Sequence, residues 1–153
     1  LLRYVLYDNQ QTYVPLCKEV DFIRNYIELM RIRVSPQVTI ETEFHIKPES
    51  QTPIAPLIFI SLIENAFKHG VSYSNPSFIH IQIMAADRYN LTCEITNSFF
   101  PKSDQDKSGS GIGLSNLRKR LELLYPGRYV LECGQEGSLF RAVLRLTLKE
   151  ENV

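Results

Sequence analysis

The chain has 153 residues, 44% of them hydrophobic and 22% charged, and its 17 Lys+Arg balance 17 Asp+Glu, so the formal net charge is zero. That size suits one domain with an attached element, and a neutral chain carries no global field that would draw it to nucleic acid or an anionic membrane. No apolar run reaches the length of a bilayer span, no signal peptide is visible, and Cys17, Cys93 and Cys133 show neither metal spacing nor a CxxC pair, which points to a reducing compartment, the cytosol.

Leu1 to Tyr7 is short and apolar, and reads as the tail of a helix that begins upstream. Asp8 to Tyr13 reads as a turn, and Pro15 is placed for the first position of a new helix. Leu16, Val20, Ile23, Ile27, Met30 and Val34 alternate spacings of four and three, a helical seam widened by Phe22, Tyr26 and Leu29. Such a helix needs a partner, either the domain behind it or another chain. Ser35-Pro36 stops it, so its expected span is 15–34.

Val38, Ile40, Thr42, Phe44 and Ile46 alternate with Thr39, Glu41, Glu43 and His45, the pattern of a half-buried strand with His45 toward solvent. Lys47 to Pro53 is expected to be a loop. The next stretch, Leu57 to Gly70, predicts a helix that is apolar almost all round, as helices inside a core are. Ser61, Glu64, Asn65 and Lys68 break that surface at offsets of zero, three, four and seven, so they form one stripe, which His69 extends. The stripe is either a solvated face or the lining of a ligand site. A carboxylate, an amide and an ammonium side by side are costly to bury without partners. An amide oxygen and a carboxylate suit a hard cation, and a lysine suits a phosphate, so the ligand reading is a metal–nucleotide pair. Gly70 is a good residue just past a helix end.

After a loop over 71–77, Ile79, Ile81, Ile83 and Ala85 predict a second strand, and Asp87 to Asn90 a turn. Leu91, Cys93 and Ile95 predict a third strand, whose parity puts Asn97 on the core-facing side. Asn97 there is either a turn-maker bonding its own backbone or a ligand contact. Ser98 to Ser108 is a long polar loop with Phe99 and Phe100 at its root, of the kind that serves as a lid. It runs into Gly109-Ser110-Gly111-Ile112-Gly113-Leu114, where bare backbone N–H groups and a helix N-terminus could meet an anion. Leu114, Leu117, Leu121 and Leu124 seam that helix, and Arg118, Lys119 and Arg120 put basic side chains near its first turns. Pro126-Gly127 ends it. Two strands follow, Tyr129 to Cys133 and Phe140 to Leu148, joined by a turn at Gly134 to Gly137, with a frayed end at 150–153. Helices covering one face of a mixed sheet make this an α+β chain, an α/β sandwich with an N-terminal helical segment.

The glycine stretch alone is weak: it is neither a Walker A loop nor a dinucleotide fingerprint. The combination is specific. Ile63-Glu64-Asn65-Ala66-Phe67-Lys68-His69-Gly70 resembles the N box of sensor histidine kinases, and Gly109 to Leu114 resembles their second glycine box. Together they are similar to the ATP-binding domain of that family, the Bergerat-type ATPase fold. Gly111-Ile112-Gly113-Leu114-Ser115-Asn116-Leu117-Arg118-Lys119-Arg120-Leu121, Tyr125-Pro126-Gly127, and Phe22 to Leu29 are similar to its LytS-type branch. The resemblance implies a kinase domain over 15–150 with an ATP lid at about 98–111. It implies residues 1–14 as the remnant of an upstream dimerisation helix and turn, ATP and Mg²⁺ as cofactors, a response regulator as partner and a homodimer in the full-length protein. The implied place is a cytoplasmic domain of a membrane-anchored sensor. Asn65 would bind the Mg²⁺, Lys68 would reach a phosphate, His69 would lie against the adenine and Glu64 would orient a metal-bound water. Gly109, Gly111 and Gly113 would let the lid close on the phosphates, Leu114 would join them in the nucleotide site, and Asn97 stands where the family has an Asp that reads the adenine amine.

The chain departs from the family at that last point. Asp-x-Gly-x-Gly is here Asn97-Ser98-Phe99-Phe100-Pro101, with both glycines lost, so weaker ATP binding is expected. None of His45, His69 and His80 has the sequence context of the family's phosphate acceptor, so the acceptor is expected outside these residues. Three other readings stand beside this one: an ATP-hydrolysing Bergerat ATPase, an anti-sigma-type serine kinase and a non-catalytic nucleotide-regulated module. Hydrolysis is disfavoured because Ser61 holds the place of that group's carboxylate.

Overall fold

The computed structural model describes residues 13–47, 50–72, 75–99 and 110–148, with the backbone alone for 110–113. The expected helix tail at 1–7, the turn from Asp8, Gly109, the middle of the lid and the frayed end at 150–153 lie outside those residues.

A two-residue strand β1 (Val14–Pro15) leads into helix α1 (Leu16–Arg33). Pro15 is the residue just before the helix, in extended backbone, and not its first turn. It pairs with a second short strand, β3 (Pro53–Ile54), in a stretch that the sequence pattern reads as plain loop. The seam of α1 is buried at Leu16, Val20, Phe22, Ile23 and Ile27, with Tyr26, Met30 and Val34 packed at its margin. Leu29 and Ile32 point away from the core and are exposed.

Strand β2 (Val38–His45), helix α2 (Ile58–His69), strands β4 (Ser77–Ala85) and β5 (Asn90–Ser98), helix α3 (Ser110–Leu124) and the hairpin β6 (Tyr129–Glu136) and β7 (Leu139–Thr147) complete the chain. The sheet runs β2-β4-β5-β7-β6; only the β2–β4 pair is parallel. One face is apolar: Ile79, Ile81, Ile83, Leu91, Cys93, Ile95, Ala142, Leu144 and Leu146 are all buried. Period-two alternation puts them on one side and their polar neighbours on the other. The opposite face is tied by a Glu43–His80 hydrogen bond at 2.7 Å and a Glu94–Arg141 ion pair at 2.7 Å. His45 is exposed, as its parity predicts, and lies 3.4 Å from Glu43. Bonds from both imidazoles hold the Glu43 carboxyl below its ordinary range.

The strands are longer than the apolar alternation alone indicates. β5 takes in Ser98, and the final hairpin closes at Gly137 and Ser138, where Gly137 has φ 65°, and not at Gly134. Gly134 to Glu136 lack apolar side chains yet pair with Arg141, Phe140 and Leu139 through the backbone. Among the described residues, no helix is long and apolar enough to cross a membrane.

Candidate functional site

Helix α2 is held by its apolar sides and leaves its polar stripe open. Ile58, Phe59, Ile60, Leu62, Ile63, Ala66 and Phe67 are buried, and each of the Ile, Leu and Phe side chains stabilises the fold by roughly 1.5–3 kcal/mol over its exposed state. Glu64 and Lys68 are exposed, and Ser61, Asn65 and His69 are half-buried. The row is therefore not plugged by the described side chains.

Both ends of α2 are tied to other elements by groups that the stripe pattern does not reveal. At the start, Leu57 sits in left-handed backbone with φ 65°, and its N–H donates to Glu19 Oε2 at 2.7 Å. Glu19, fully buried on α1, thus satisfies one of the donors a helix start leaves open. Ala55 N–H donates to the Tyr125 hydroxyl at 2.9 Å, and Arg120 Nη2 donates to the Pro56 carbonyl at 2.8 Å. At the finish, Gly70 is in right-handed backbone, so left-handed freedom is not what it provides. A Cβ there would stand 2.7 Å from Ala66 O and 2.9 Å from Asn97 Nδ2. Gly70 lets β5 approach the end of α2. Ser98 Oγ donates to the Gly70 carbonyl at 2.8 Å and accepts from Phe78 N–H at 3.1 Å, which fastens α2 to β4 and β5.

Of the predicted site residues, Asn97 is brought to the last turn of α2, where His69 lies. It is 1% exposed, and its Nδ2 donates to the Ser98 carbonyl at 2.8 Å. The local backbone bond foreseen for a turn-making Asn is thus realised, and Oδ1 remains as the acceptor. Phe99 donates its N–H to Ser138 O at 2.9 Å. Its ring stacks on Phe140 at 5.7 Å and stands 6.4 Å from the His69 ring, tilted by 44°. Ser98 closes β5 and Phe99 is bonded to the hairpin turn, so the backbone is anchored through both residues.

Gly111 and Gly113 lie within α3 and not in the loop before it, because the helix begins at Ser110. Both belong to the first turn of that helix, whose backbone N–H groups have no acceptor within the helix and are the donors an anion would use. Leu114 is half-buried against the core. The basic run is less free than its sequence implies: Arg118 Nη1 bonds Leu131 O at 3.2 Å, Arg120 bonds Pro56 O, and Lys119 is exposed. Tyr26 faces α2 from α1, its ring edge-on to Phe67 at 6.0 Å. Burial, reinforced by the nearby Glu64 carboxylate and opposed by Arg33, pushes its hydroxyl up to about 12, so it stays a donor beside the row.

A cavity of about 510 Å³ opens between Leu16, the Ser50–Thr52 segment and the Ala85–Arg88 turn. It lies where β2 and β4 end, far along the sheet from the pairing of Asn97 with Ile79. Its carboxylate, Asp87, is committed to the N–H groups of Tyr89 and Asn90 and to the Asn90 amide. The polar row, not this cavity, gathers the chemistry.

Residues 1–38 match the family described as Histidine kinase. Among solved structures, the catalytic domain of histidine kinase ThkA matches with a TM-score of 0.61 at 14% identity, over 92% of this chain and 98% of that one. The fold is that of a histidine kinase catalytic domain. Histidine kinase AdeS of Acinetobacter baumannii shares this fold at a TM-score of 0.60 and 15% identity, over 97% of this chain and 76% of its own. Full-length ShkA, solved in complex with AMPPNP, shares it at 0.61 and 15%, over 93% of this chain and 33% of that one. No curated protein matches the sequence. The expected α/β sandwich of the Bergerat type is the observed architecture.

Proposed function

We propose that this chain is the ATP-binding catalytic domain of a two-component sensor histidine kinase of the LytS type. It transfers the γ-phosphoryl group of ATP to a histidine other than His45, His69 and His80. The observation that carries this reading is the open polar row of α2, set beside Asn97 on a histidine kinase fold. The match of residues 1–38 to the histidine kinase family supports it, as does the bound AMPPNP of a structural neighbour. The full protein would be a membrane-anchored homodimer that serves a response regulator, with this domain in the cytoplasm.

Asn65 and Glu64 fit a Mg²⁺ that arrives with the nucleotide: both offer oxygen, and both are reachable from outside. The described residues contain no group of three His, Cys, Asp or Glu that could hold a metal by themselves, which suits an ion whose other ligands are phosphate and water. Such an ion supplies neutralisation of charge on the phosphates. The protein's part is positioning. Asn65 would orient the metal-bearing phosphates, Lys68 would sit on one of them as a point charge, and Glu64 would orient a metal-bound water. The N–H groups at Gly111 and Gly113 would receive phosphate oxygens, Gly109 and Leu114 would let the lid close, and the Asn97 Oδ1 would accept from the adenine amine. His69 would lie against the adenine.

Titration calorimetry with Mg-ATP, against Asn65→Ala, tests this. The expected result is binding by the wild type and at least a tenfold loss in the variant; equal affinity would sink the assignment. A second reading, a nucleotide-regulated module without phosphotransfer, is favoured by Asn97 and Phe99 at the family's Asp and Gly positions. Nucleotide binding with no phosphohistidine formed by the full-length protein would select it.

A further inference from the structure

We infer that Phe99 sets the nucleotide affinity of this domain by standing in part of the space the base must take. The inference rests on the reading of α2 and Asn97 as a nucleotide site. Strand β5 ends at Ser98, and the Phe99 ring just beyond it contacts His69 of α2 and Phe140 of β7, which puts it on the helix-covered side of the sheet with Asn97. The Asn97 side chain meets the end of α2 at Gly70, and the Phe99 ring meets the His69 ring next door. A base that reaches Asn97 Oδ1 and lies against His69 therefore approaches the face that Phe99 already covers.

Among the described residues, three contacts hold Phe99 there: its N–H is bonded to Ser138 O in the hairpin turn, its ring is stacked on Phe140 of β7, and the ring also meets His69. A planar base is about 3.5 Å thick, and aromatic faces stack at offset centroid distances of about 4.5–7 Å. The 6.4 Å between the His69 and Phe99 centroids, with planes 44° apart, is a contact between two rings and not a slot for a third. The base can enter only if the Phe99 ring swings aside, which gives up its contacts with His69 and Phe140. A glycine at this position has no ring to move.

The test compares wild type, Phe99→Gly and Phe99→Ala by calorimetry, with Mg-ATP and Mg-tripolyphosphate as probes and circular dichroism as a check of folding. The second substitution guards against loss of fold in the first. Tripolyphosphate carries no base, so it separates an effect on the base from a general disturbance. The expected result is a fivefold or greater gain in Mg-ATP affinity in both variants, with tripolyphosphate affinity unchanged within twofold. Equal or weaker ATP binding in folded variants, beside a wild type that binds, overturns this inference and leaves the nucleotide site standing. Parallel gains for both probes also overturn it, because the ring would then act on the site as a whole. Absence of ATP binding in all three proteins overturns the nucleotide reading and this inference with it.

Discussion

Asn97→Asp restores the family's residue, and the structure shows why that is not a simple gain. The Asn97 side chain is buried, and its Nδ2 donates to the Ser98 carbonyl at 2.8 Å. An ionised Asp has no donor. It would place an oxygen against that carbonyl in a site where burial already disfavours charge. A buried acceptor stripped of its donor costs roughly 1–3 kcal/mol, and each kcal/mol moves the Tm of a domain this size by about 2–4 °C. Asn97→Asp should therefore melt roughly 2–12 °C below wild type at pH 7. The deficit has a pH signature. A protonated carboxyl introduced at position 97 can donate to Ser98 O, so its folded pKa is raised above the unfolded value of about 3.9. The variant's relative stability is then fully recovered below the unfolded pKa and lost as pH rises through the folded one. Melting both proteins in parallel from pH 4 to pH 8 reads this out. A Tm difference under 1 °C at pH 7, or a deficit that does not shrink toward pH 4, would refute the assignment of the Asn97 amide. Calorimetry on the folded variant should still show tighter Mg-ATP binding, because a charged acceptor strengthens the bond to the adenine amine; unchanged affinity would remove Asn97 from base recognition.

Glu19→Ala strips the half-buried Leu57 N–H of its acceptor and should cost about 1.5–3 kcal/mol in urea unfolding. Glu19→Gln keeps an oxygen and should cost about half as much; an alanine variant within about 0.5 kcal/mol of wild type, a difference of roughly measurement size, would show that the bond does not matter. Gly70→Ala forces a methyl to within 3 Å of Ala66 O and Asn97 Nδ2, an overpacking that should cost roughly 1–3 kcal/mol. The same variant should weaken Mg-ATP binding, since it pushes Asn97 from α2, and a neutral result would show that the two segments separate freely. Burial pushes the Cys93 thiol up from 9.0 to about 12. The stability it contributes is present below pH 9 and is lost between pH 9 and 12, by about 1.4 kcal/mol per pH unit. Cys93→Ala should flatten alkaline unfolding over that range, and an unchanged slope would contradict the buried neutral thiol.

The sheet and the three helices were legible because their residues repeat at two or at three-and-four, and the polar row was legible because it interrupts such a repeat. What escaped is where the chain obeys contact instead of period. β1 and β3 are two residues each, too short for any alternation to register. Gly134 to Glu136 join β6 through backbone pairing alone. Ser98 reads as the first polar residue of a loop, yet its hydroxyl ties α2 to β4. Glu19 left a signal that could have been used: it sits among Leu16, Val20 and Ile23, a carboxylate within an apolar seam. Gly70 fits a helix end by residue type, but for space and not for handedness.

These ties decide how the candidate site can vary. Helix α2, with the proposed phosphate-binding residues, is positioned from its start by Glu19, Tyr125 and Arg120, none of which touches Asn97 or Phe99 among the described contacts. The base side depends on the Ser98–Gly70 bond and on Phe99 packed against the hairpin. On the proposed reading, Asn97 and Phe99 can therefore alter the hold on the base while Asn65 and Lys68 keep their places. Substitutions on the two sides should act independently, since sites without shared partners add in free energy. Asn65→Ala should weaken ATP and tripolyphosphate alike, and Phe99→Gly should change ATP alone. The Asn65→Ala/Phe99→Gly double variant should then bind Mg-ATP with the product of the two single fold-changes. A departure from that product beyond about threefold would mean that base and phosphate are read by one coupled surface, and that the ring at 99 reaches the row after all.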